Sequence, residues 1–194
     1  MDLDRLPGLP GARIRPASPA DAAGCLAVYA PYVEHTAVSF EAHPPSVEEM
    51  RTRIETALRT HAWVVLEDER GRITGYAYAG PYKSRPAYRW SCEVSVYVEQ
   101  GRRRTGAGRA LYRALFERLV ERGFVVAVAG MTLPNPASAG LHRALGFEDV
   151  GTWRGIGHKA GAWHDVHWMQ RTLVGFDAGS RAEPGRPALP RDPT

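Results

Sequence analysis

A run of basic residues followed by glycines stands directly before a segment with helical periodicity. Arg102, Arg103 and Arg104 precede Gly106 and Gly108. The first helical turn behind them carries no acid, although acids are favoured at that end of the helix dipole. Free first-turn amides, the positive dipole end and nearby guanidinium groups together favour binding of a pyrophosphate-type anion. A flexible basic turn without a ligand is the alternative that these residues leave open.

Two common nucleotide-binding motifs do not fit this loop. A P-loop requires Gly-Lys-Ser or Gly-Lys-Thr, which the loop lacks. A dinucleotide-binding loop requires a third glycine, and Leu111 stands at that place. An anion held here is therefore bound without either motif.

A single carboxylate lies inside the strand predicted before this loop. Residues 91–98 alternate as a half-buried strand does, and Glu93 is the only carboxylate in the interior of the strand. A carboxylate in a groove is suited to act as a general base, whereas on an edge strand it would only be solvated. The alternation predicts one face with Cys92, Val94, Val96 and Val98, and another with Ser91, Glu93, Ser95 and Tyr97.

The first two helices that position these residues are marked by their caps. Ser18, followed by a proline and by Asp21, predicts the start of a helix that Pro31 is expected to end. Ser46 and Glu49 form a capping box in front of a second helical pattern.

The rest of the chain predicts a mixed arrangement. In chain order the patterns are strands AWVVLE and RITGYAYAG around a turn at 68–71, the strand 91–98, a helix from about 106 to 122, the strand FVVAVAGM, the short helix PASAGLHRAL ended by Gly146, and strands near 147–155 and 163–173. Only one strand–helix–strand crossover is present. The expected fold class is α/β (α+β), with a mixed, mostly antiparallel sheet flanked by helices.

The composition is that of a globular domain with tails. The chain has 194 residues, of which 44% are hydrophobic and 24% charged, and a net charge of +4. The sequence has no run of about 18 apolar residues, so no membrane span is predicted. Two cysteines do not form a disulfide framework. We expect a cytoplasmic protein with a flexible tail at 1–12, a domain at 13–173 and a disordered tail at 174–194.

Several blocks of the sequence resemble one superfamily. Arg103-x-x-Gly106-x-Gly108, after a strand ending VYV, resembles the coenzyme A signature of the GNAT N-acetyltransferases. NPASAGLHRALGFEDVGT, which contains Asn135 and Gly146-Phe147, is similar to the next block of that superfamily. AGPYKSRPAYRW, EVSVYV and GAWHDVHWMQRTL further resemble the phosphinothricin and methionine sulfoximine acetyltransferases, over about residues 13–173.

The resemblance implies the GNAT acyl-CoA N-acyltransferase fold, with acetyl-CoA as co-substrate. In that superfamily the loop amides hold the pyrophosphate and the preceding strand pairs with the pantetheine arm. Carried over to this sequence, the cofactor-binding residues are Val96, Tyr97, Val98, Arg103, Arg104, Thr105, Gly106, Ala107, Gly108, Arg109 and Asn135. Glu93 stands where the resembled family keeps its base. His142 replaces a tyrosine that many members use, which leaves an acid, an amine contact or helix packing as its role.

The amine-binding residues are expected in two other segments. Lys83, Arg85 and Tyr88 lie in the loop before the Glu93 strand, where cations are suited to grip a carboxylate or phosphinate. Phe40, after the first helix, is suited to wall the pocket. A solvated basic loop is the alternative. The resemblance implies transfer of acetyl to the α-amino group of a small amino-acid-like substrate, a resistance activity against such antibiotics or herbicides, and a homodimer.

Two other functions stay open beside this one. The chain could acetylate another amine, such as a protein N-terminus, a lysine or an aminoglycoside, or bind acyl-CoA without turnover. Nucleic-acid binding is not expected, because the arginines form one loop without exposed paired aromatics. A metal site is not expected either, because His164 and His167 would face opposite sides of a strand and Asp165 with His167 is too small a ligand set.

Overall fold

The computed structural model describes residues 11–102 and 105–175. The strands are β1 Arg13–Pro16, β2 Trp63–Glu67, β3 Ile73–Pro81, β4 Ser91–Val98, β5 Val126–Thr132, β6 Glu148–Lys159 and β7 Ala162–Thr172. The helices are α1 Ala22–His35, α2 Val47–Thr60, α3 Ala107–Glu121 and α4 Pro136–Ala144, with single 3-10 turns at Pro19–Asp21 and Pro86–Tyr88.

The seven strands form one sheet in the order β1-β2-β3-β4-β5-β7-β6. Only the β4–β5 pair is parallel, and α3 makes the crossover between these two strands. All other neighbours are antiparallel. The predicted mixed, mostly antiparallel sheet is therefore confirmed.

Two hydrophobic cores lie on opposite faces of the sheet. One core packs α3 and the segment after α4 against one face, where Cys92 and Val94 point inward from β4. The other packs α1 and α2 against the opposite face, with Tyr97 at its margin. The alternation of β4 predicted these two directions correctly, and it places Glu93 on the α1–α2 face.

Three expectations about the elements were wrong. Pro31 lies inside α1 and does not end it, since the helix continues to His35. A proline removes one amide donor from the helix, and the carbonyl that would have accepted from it belongs to exposed Ala27, where water can bind it. The short strand β1 was missed because four residues carry little periodic signal.

The hairpin β6–β7 is the third difference, because it is longer than predicted. β6 continues to Lys159, past the residue 155 expected as its end. The register shifts between Trp153 and Gly157, which marks a bulge, and such a bulge breaks the alternation that a sequence pattern relies on.

Most of the expected tails, residues 1–10 and 176–194, lie outside the described residues. No described helix is long and apolar enough to cross a membrane.

Candidate active site

The centre of the molecule is an opening between β4 and β5. The two parallel strands pair only from Ser91 to Glu93 on β4, although β4 continues to Val98 and β5 to Thr132. Beyond Glu93 the edge of β4 that faces β5 has no strand partner among the described residues. A parallel pair that separates in this way leaves backbone groups free to bind an extended ligand.

Glu93 lies at the last paired position, at the base of this opening. Its side chain is half-buried on the α1–α2 face. Burial raises the pKa of Glu93 above its ordinary value, and the nearby Lys83 ammonium partly offsets that rise. A carboxylate with a raised pKa is a stronger proton acceptor, so the environment of Glu93 suits a general base.

The N-terminus of α3 lies beyond the end of β4. Gly106 is its N-cap, with a φ of 82° in the left-handed region and no capping side chain. The first amides of a helix have no partner within the helix; the Ala107 amide donates weakly to Thr105 Oγ1 at 3.4 Å, and the amides of Gly108 and Arg109 behind it suit an anion. Position 108 favours glycine for a different reason, because a β-carbon there would lie 3.0 Å from Leu141 Cδ2. Gly108 thus also permits close packing of α3 against α4.

Among the arginines in front of α3, Arg102 forms an ion pair with another side chain. Arg102 donates through Nε to Glu99 Oε2 at 2.7 Å, and Glu99 is also paired with Arg72. Arg102 is thus engaged by Glu99 through Nε, and its contribution to an anion site stays a prediction. Arg103 and Arg104 lie outside the described residues, so their contribution stays a prediction.

Other expected cofactor residues lie along the same path. The Thr105 hydroxyl donates to the Arg102 carbonyl at 3.1 Å, Ala107 is buried in the core under α3, and Arg109 is exposed on the first turn of α3. The β4 residues Val96 and Val98 pack on the α3 side of the sheet. Their side chains are therefore directed away from Glu93.

The side chain of Tyr97 is partly buried among aromatic rings. It packs edge-on against Tyr29 and Tyr32, with ring centroids 4.9 and 5.3 Å away. The Tyr32 hydroxyl also donates to the Val98 carbonyl at 2.6 Å. At these positions of β4 it is therefore the backbone, other than the Val98 carbonyl, that can pair with a ligand.

Asn135 stands at the start of α4, where β5 has ended. Its side-chain oxygen accepts a hydrogen bond from the Ser138 amide at 3.1 Å, as an N-cap does. Capping uses the oxygen only. The amide nitrogen of Asn135 still has two hydrogens to donate.

His142 is buried between α3 and α4. Its Nδ1 lies 2.8 Å from the Ser138 carbonyl, and since a carbonyl only accepts, Nδ1 carries the proton and Nε2 accepts from the Tyr112 hydroxyl at 3.1 Å. Burial lowers the pKa of His142, so the ring is neutral near pH 7. Of the three roles left open for His142, this environment favours packing over proton donation.

The loop between β3 and β4 carries the expected amine-binding residues. Lys83, Arg85 and Tyr88 are all exposed, and the charge of Lys83 is felt at Glu93. Arg85 precedes the 3-10 turn Pro86–Tyr88, and Tyr88 meets Tyr82 edge-on at 5.5 Å. The structure thus brings Lys83 towards Glu93 and leaves Arg85 facing solvent.

A polar network under the α1–α2 connection was missed by sequence reasoning. The Tyr29 hydroxyl lies 2.7 Å from Ser39 Oγ and donates to Glu41 at 3.1 Å. Arg53 donates to both carboxylate oxygens of Glu41. An apolar cavity of about 260 Å³ adjoins this network and is lined by Tyr29, Arg53 and Gly80. Gly80, at one end of this lining, pairs with Glu93 on the neighbouring strand.

The histidines of β7 bind protein groups. His164 Nε2 lies 3.0 Å from the Lys159 carbonyl, and His167 contacts Asp149 at 2.7 Å and Thr152 at 2.9 Å. Within residues 11–102 and 105–175, no three His, Cys, Asp or Glu residues gather in a way that could hold a metal ion.

Comparisons with known proteins agree with this geometry. A family model described as an acetyltransferase (GNAT) domain matches residues 14–168. Phosphinothricin N-acetyltransferase of Streptomyces viridochromogenes is 40% identical over 174 residues, which cover 90% of this chain and 93% of that protein. L-methionine sulfoximine/L-methionine sulfone acetyltransferase of Pseudomonas aeruginosa is 37% identical over 163 residues, which cover 84% of this chain and 95% of that protein.

A solved structure gives the same result. The phosphinothricin acetyltransferase of Sinorhizobium meliloti, in complex with acetyl-CoA, matches with a TM-score of 0.82 and 37% identity, over 90% of this chain and 94% of that one. The chain therefore belongs to the GNAT acetyltransferase family, and its fold is the GNAT fold. The resemblance noted in the sequence is confirmed.

Proposed function

We propose that this protein transfers an acetyl group from acetyl-CoA to the α-amino group of a small amino-acid-like substrate, of the phosphinothricin, methionine sulfoximine or methionine sulfone type. The observation that carries the proposal is the position of Glu93. This carboxylate lies at the point where β4 and β5 separate, and burial raises its pKa. The named relatives act on these amines, which supports the substrate class.

The described residues fit acetyl-CoA. The separated edge of β4 offers backbone groups to an extended arm, and the α3 N-terminus capped by Gly106 offers amides to a pyrophosphate. The nitrogen of Asn135 is placed to donate at the end of β5. Bound acetyl-CoA would supply the thioester carbonyl that the amine attacks and the thiolate that leaves. We assign cofactor binding to β4, residues 103–109 and Asn135.

Glu93 accepts the proton that the ammonium group must lose. An α-ammonium group has no free electron pair, so attack on a carbonyl requires its deprotonation, directly or through water. Lys83 and Arg85 hold the acid group of the amine through charge-assisted hydrogen bonds. The apolar cavity beside Gly80 gives room for the side chain of the amine. Tyr88 and Phe40 complete the pocket.

His142 has a positioning role in this scheme. Its two ring nitrogens are hydrogen-bonded to Ser138 and Tyr112, so it fixes the Tyr112 hydroxyl and the contact between α3 and α4. A neutral, buried imidazole is a poor proton donor for a thiolate. We therefore propose Glu93 as the single catalytic residue of this chain.

We also propose that the protein is a homodimer that uses the β6–β7 hairpin. Four large apolar side chains of this hairpin are strongly exposed, with Trp163 at 71% and Val150 at 60%; the other two are Trp153 and Ile156. Exposed apolar surface on this scale is typical of an interface between chains. Trp163→Glu should shift the mass measured by light scattering from dimer to monomer. A monomeric wild type would contradict the proposal.

A panel of amines tests the proposed activity. Purified protein is incubated with acetyl-CoA and one amine at a time, and thiol release is recorded. Phosphinothricin, methionine sulfoximine and methionine sulfone should give the highest kcat/KM. Higher values for lysine, an aminoglycoside or a peptide N-terminus would assign another acceptor. Binding of acetyl-CoA without thiol release from any amine would identify a binder without turnover.

A further inference from the structure

The hairpin β6–β7 is tied to the end of α1 by one lysine. Lys159 Nζ donates to the Val33 carbonyl and to the Ser39 carbonyl, both at 2.7 Å. Val33 lies in the last turn of α1, where carbonyl groups have no partner within the helix. The ammonium group therefore binds one helix carbonyl and one carbonyl of the following segment, residues 36–46, and holds the two together.

A second contact joins the same two regions. Phe40, in the 36–46 segment, packs so closely on β6 that a β-carbon at Gly157 would lie 2.2 Å from Phe40 Cε2. His164 pairs with Gly157 across the hairpin, and its ring centroid is 6.1 Å from that of Phe40. Only glycine at position 157 permits this placement of Phe40, because any side chain would occupy the volume of its ring.

The 36–46 segment lies over the face of the sheet that carries Glu93. Its Ser39 and Glu41 bond to Tyr29 on α1. The charge of Glu41 is felt at Tyr78 on β3 and at Tyr97 on β4, and β4 is the strand that carries Glu93. Holding the segment in place therefore shapes the space in front of the carboxylate.

We propose that Lys159 and Gly157 are positioning residues that fix the 36–46 segment for amine binding. The inference rests on the proposed function, because it takes the amine to bind on the face of the sheet that carries Glu93. Neither residue touches the cofactor path along β4 and α3. Their loss should therefore weaken amine binding while acetyl-CoA binding is preserved.

Lys159→Met tests the polar contact, because methionine keeps the stem and removes the donors. The KM for the best amine should rise about tenfold, the scale of one charge-assisted hydrogen bond, with the KM for acetyl-CoA within about twofold of wild type. Lys159→Arg keeps a charged donor and should stay near wild type. Arg154→Met, on the exposed part of the same strand, is the control and should leave both KM values unchanged.

Gly157→Ala tests the apolar contact. The backbone at 157 is in a region open to all residues, so the added methyl acts only by displacing Phe40. The amine KM should rise, and in a Phe40→Ala background the same change should have no further effect. Gly151→Ala is the matched control on β6, because a β-carbon there would meet no other described atom within 4 Å.

A readout without turnover separates this inference from the proposed function. Hydrogen exchange of the amides of residues 36–46 should become faster in Lys159→Met, while exchange in α3 stays the same. If wild type acetylates no amino-acid-like amine, the proposed function fails and exchange still tests the tether. Unchanged exchange in the 36–46 segment would overturn the inference. So would an amine KM equal to that of wild type, or an acetyl-CoA KM that rises in parallel.

Discussion

The two sides of the opening between β4 and β5 differ in the chemical groups that they present to a ligand. On the proposed cofactor side, the separated edge of β4 and the helix start at Gly106 offer mainly backbone groups. On the proposed amine side, the groups are side chains from distant parts of the chain: Tyr29, Arg53 and Lys159 bind residues of the 36–46 segment, and the charge of Lys83 is felt at Glu93. Ligand binding through backbone groups is little affected by side-chain substitutions, whereas ligand binding through side chains changes with each substitution. The proposed use of the two sides predicts that single side-chain substitutions alter amine binding more readily than acetyl-CoA binding.

The largest effect is expected at the boundary between the two sides. Glu93→Gln keeps the shape of the side chain and removes the proton acceptor. Loss of a general base typically costs 10²–10⁴-fold, so kcat should fall by about that factor. The acetyl-CoA affinity, measured by calorimetry, should stay near wild type because the cofactor path uses other groups. A variant with full kcat would place the base elsewhere.

Arg85→Ala is expected to affect the amine side only. Losing a charge-assisted hydrogen bond costs on the order of 1.5–3 kcal/mol, so the amine KM should rise by about 10–150-fold. Steady-state kinetics with an amine that lacks the acid group should show no difference. Arg70→Ala, an exposed arginine in the β2–β3 turn, is the control. Equal loss for both amines would make Arg85 a structural residue.

Substitution of Gly108 is expected to affect the cofactor side only. Gly108→Ala brings a β-carbon to 3.0 Å from Leu141 and measures the packing cost alone. Gly108→Asp adds a negative charge at the helix start, where charges are worth about 0.3–2 kcal/mol. The acetyl-CoA KM should therefore be about 2–30-fold higher in Gly108→Asp than in Gly108→Ala, at equal amine KM. Identical acetyl-CoA KM values would remove the anion site.

The smallest effect concerns stability. Burial raises the pKa of Glu93 in the folded protein, so its ionised form destabilises the fold. The resulting loss in free energy of unfolding grows as the pH rises from about 4.5, the ordinary pKa of the group, through the raised pKa of the folded protein. Glu93→Gln has no such cost. Its Tm should match wild type near pH 4 and exceed it at pH 7, by about 2–4 °C for each kcal/mol relieved. A lower Tm at pH 7 would mean that the carboxylate is stabilised where it lies.

The elements of the proposed cofactor side could be predicted from the sequence because their signals are local. The alternation of residues 91–98 and the glycines before α3 each lie within one short stretch. The ion pair of Arg102 with Glu99, three residues before it, was overlooked, and the second partner of Glu99, Arg72, is brought close only by tertiary structure. His142 was left open because burial against Tyr112 is not visible in a helical pattern.

The amine side could be predicted only in part. The charge of Lys83 is felt at Glu93 and Phe40 packs against Gly157, and the expected role of both in amine binding stays a prediction. Lys159 escaped notice because the carbonyls that it binds are 126 and 120 residues away along the chain. No periodicity or cap marks such a contact. The proline inside α1 was misjudged for a related reason, because the surroundings of a helix decide whether it tolerates a lost amide donor.

The pH dependence of kcat/KM for the amine tests the central claim most directly, namely that Glu93 takes the ammonium proton at the junction of the two sides. The wild-type value should rise with pH through the raised pKa of Glu93 and then level off. Lys83→Met should move that rise to higher pH, because Lys83 lowers the pKa of Glu93. Glu93→Gln should lack the plateau and keep rising until the free amine itself deprotonates. A Glu93→Gln profile that follows wild type in height and shape would contradict the account.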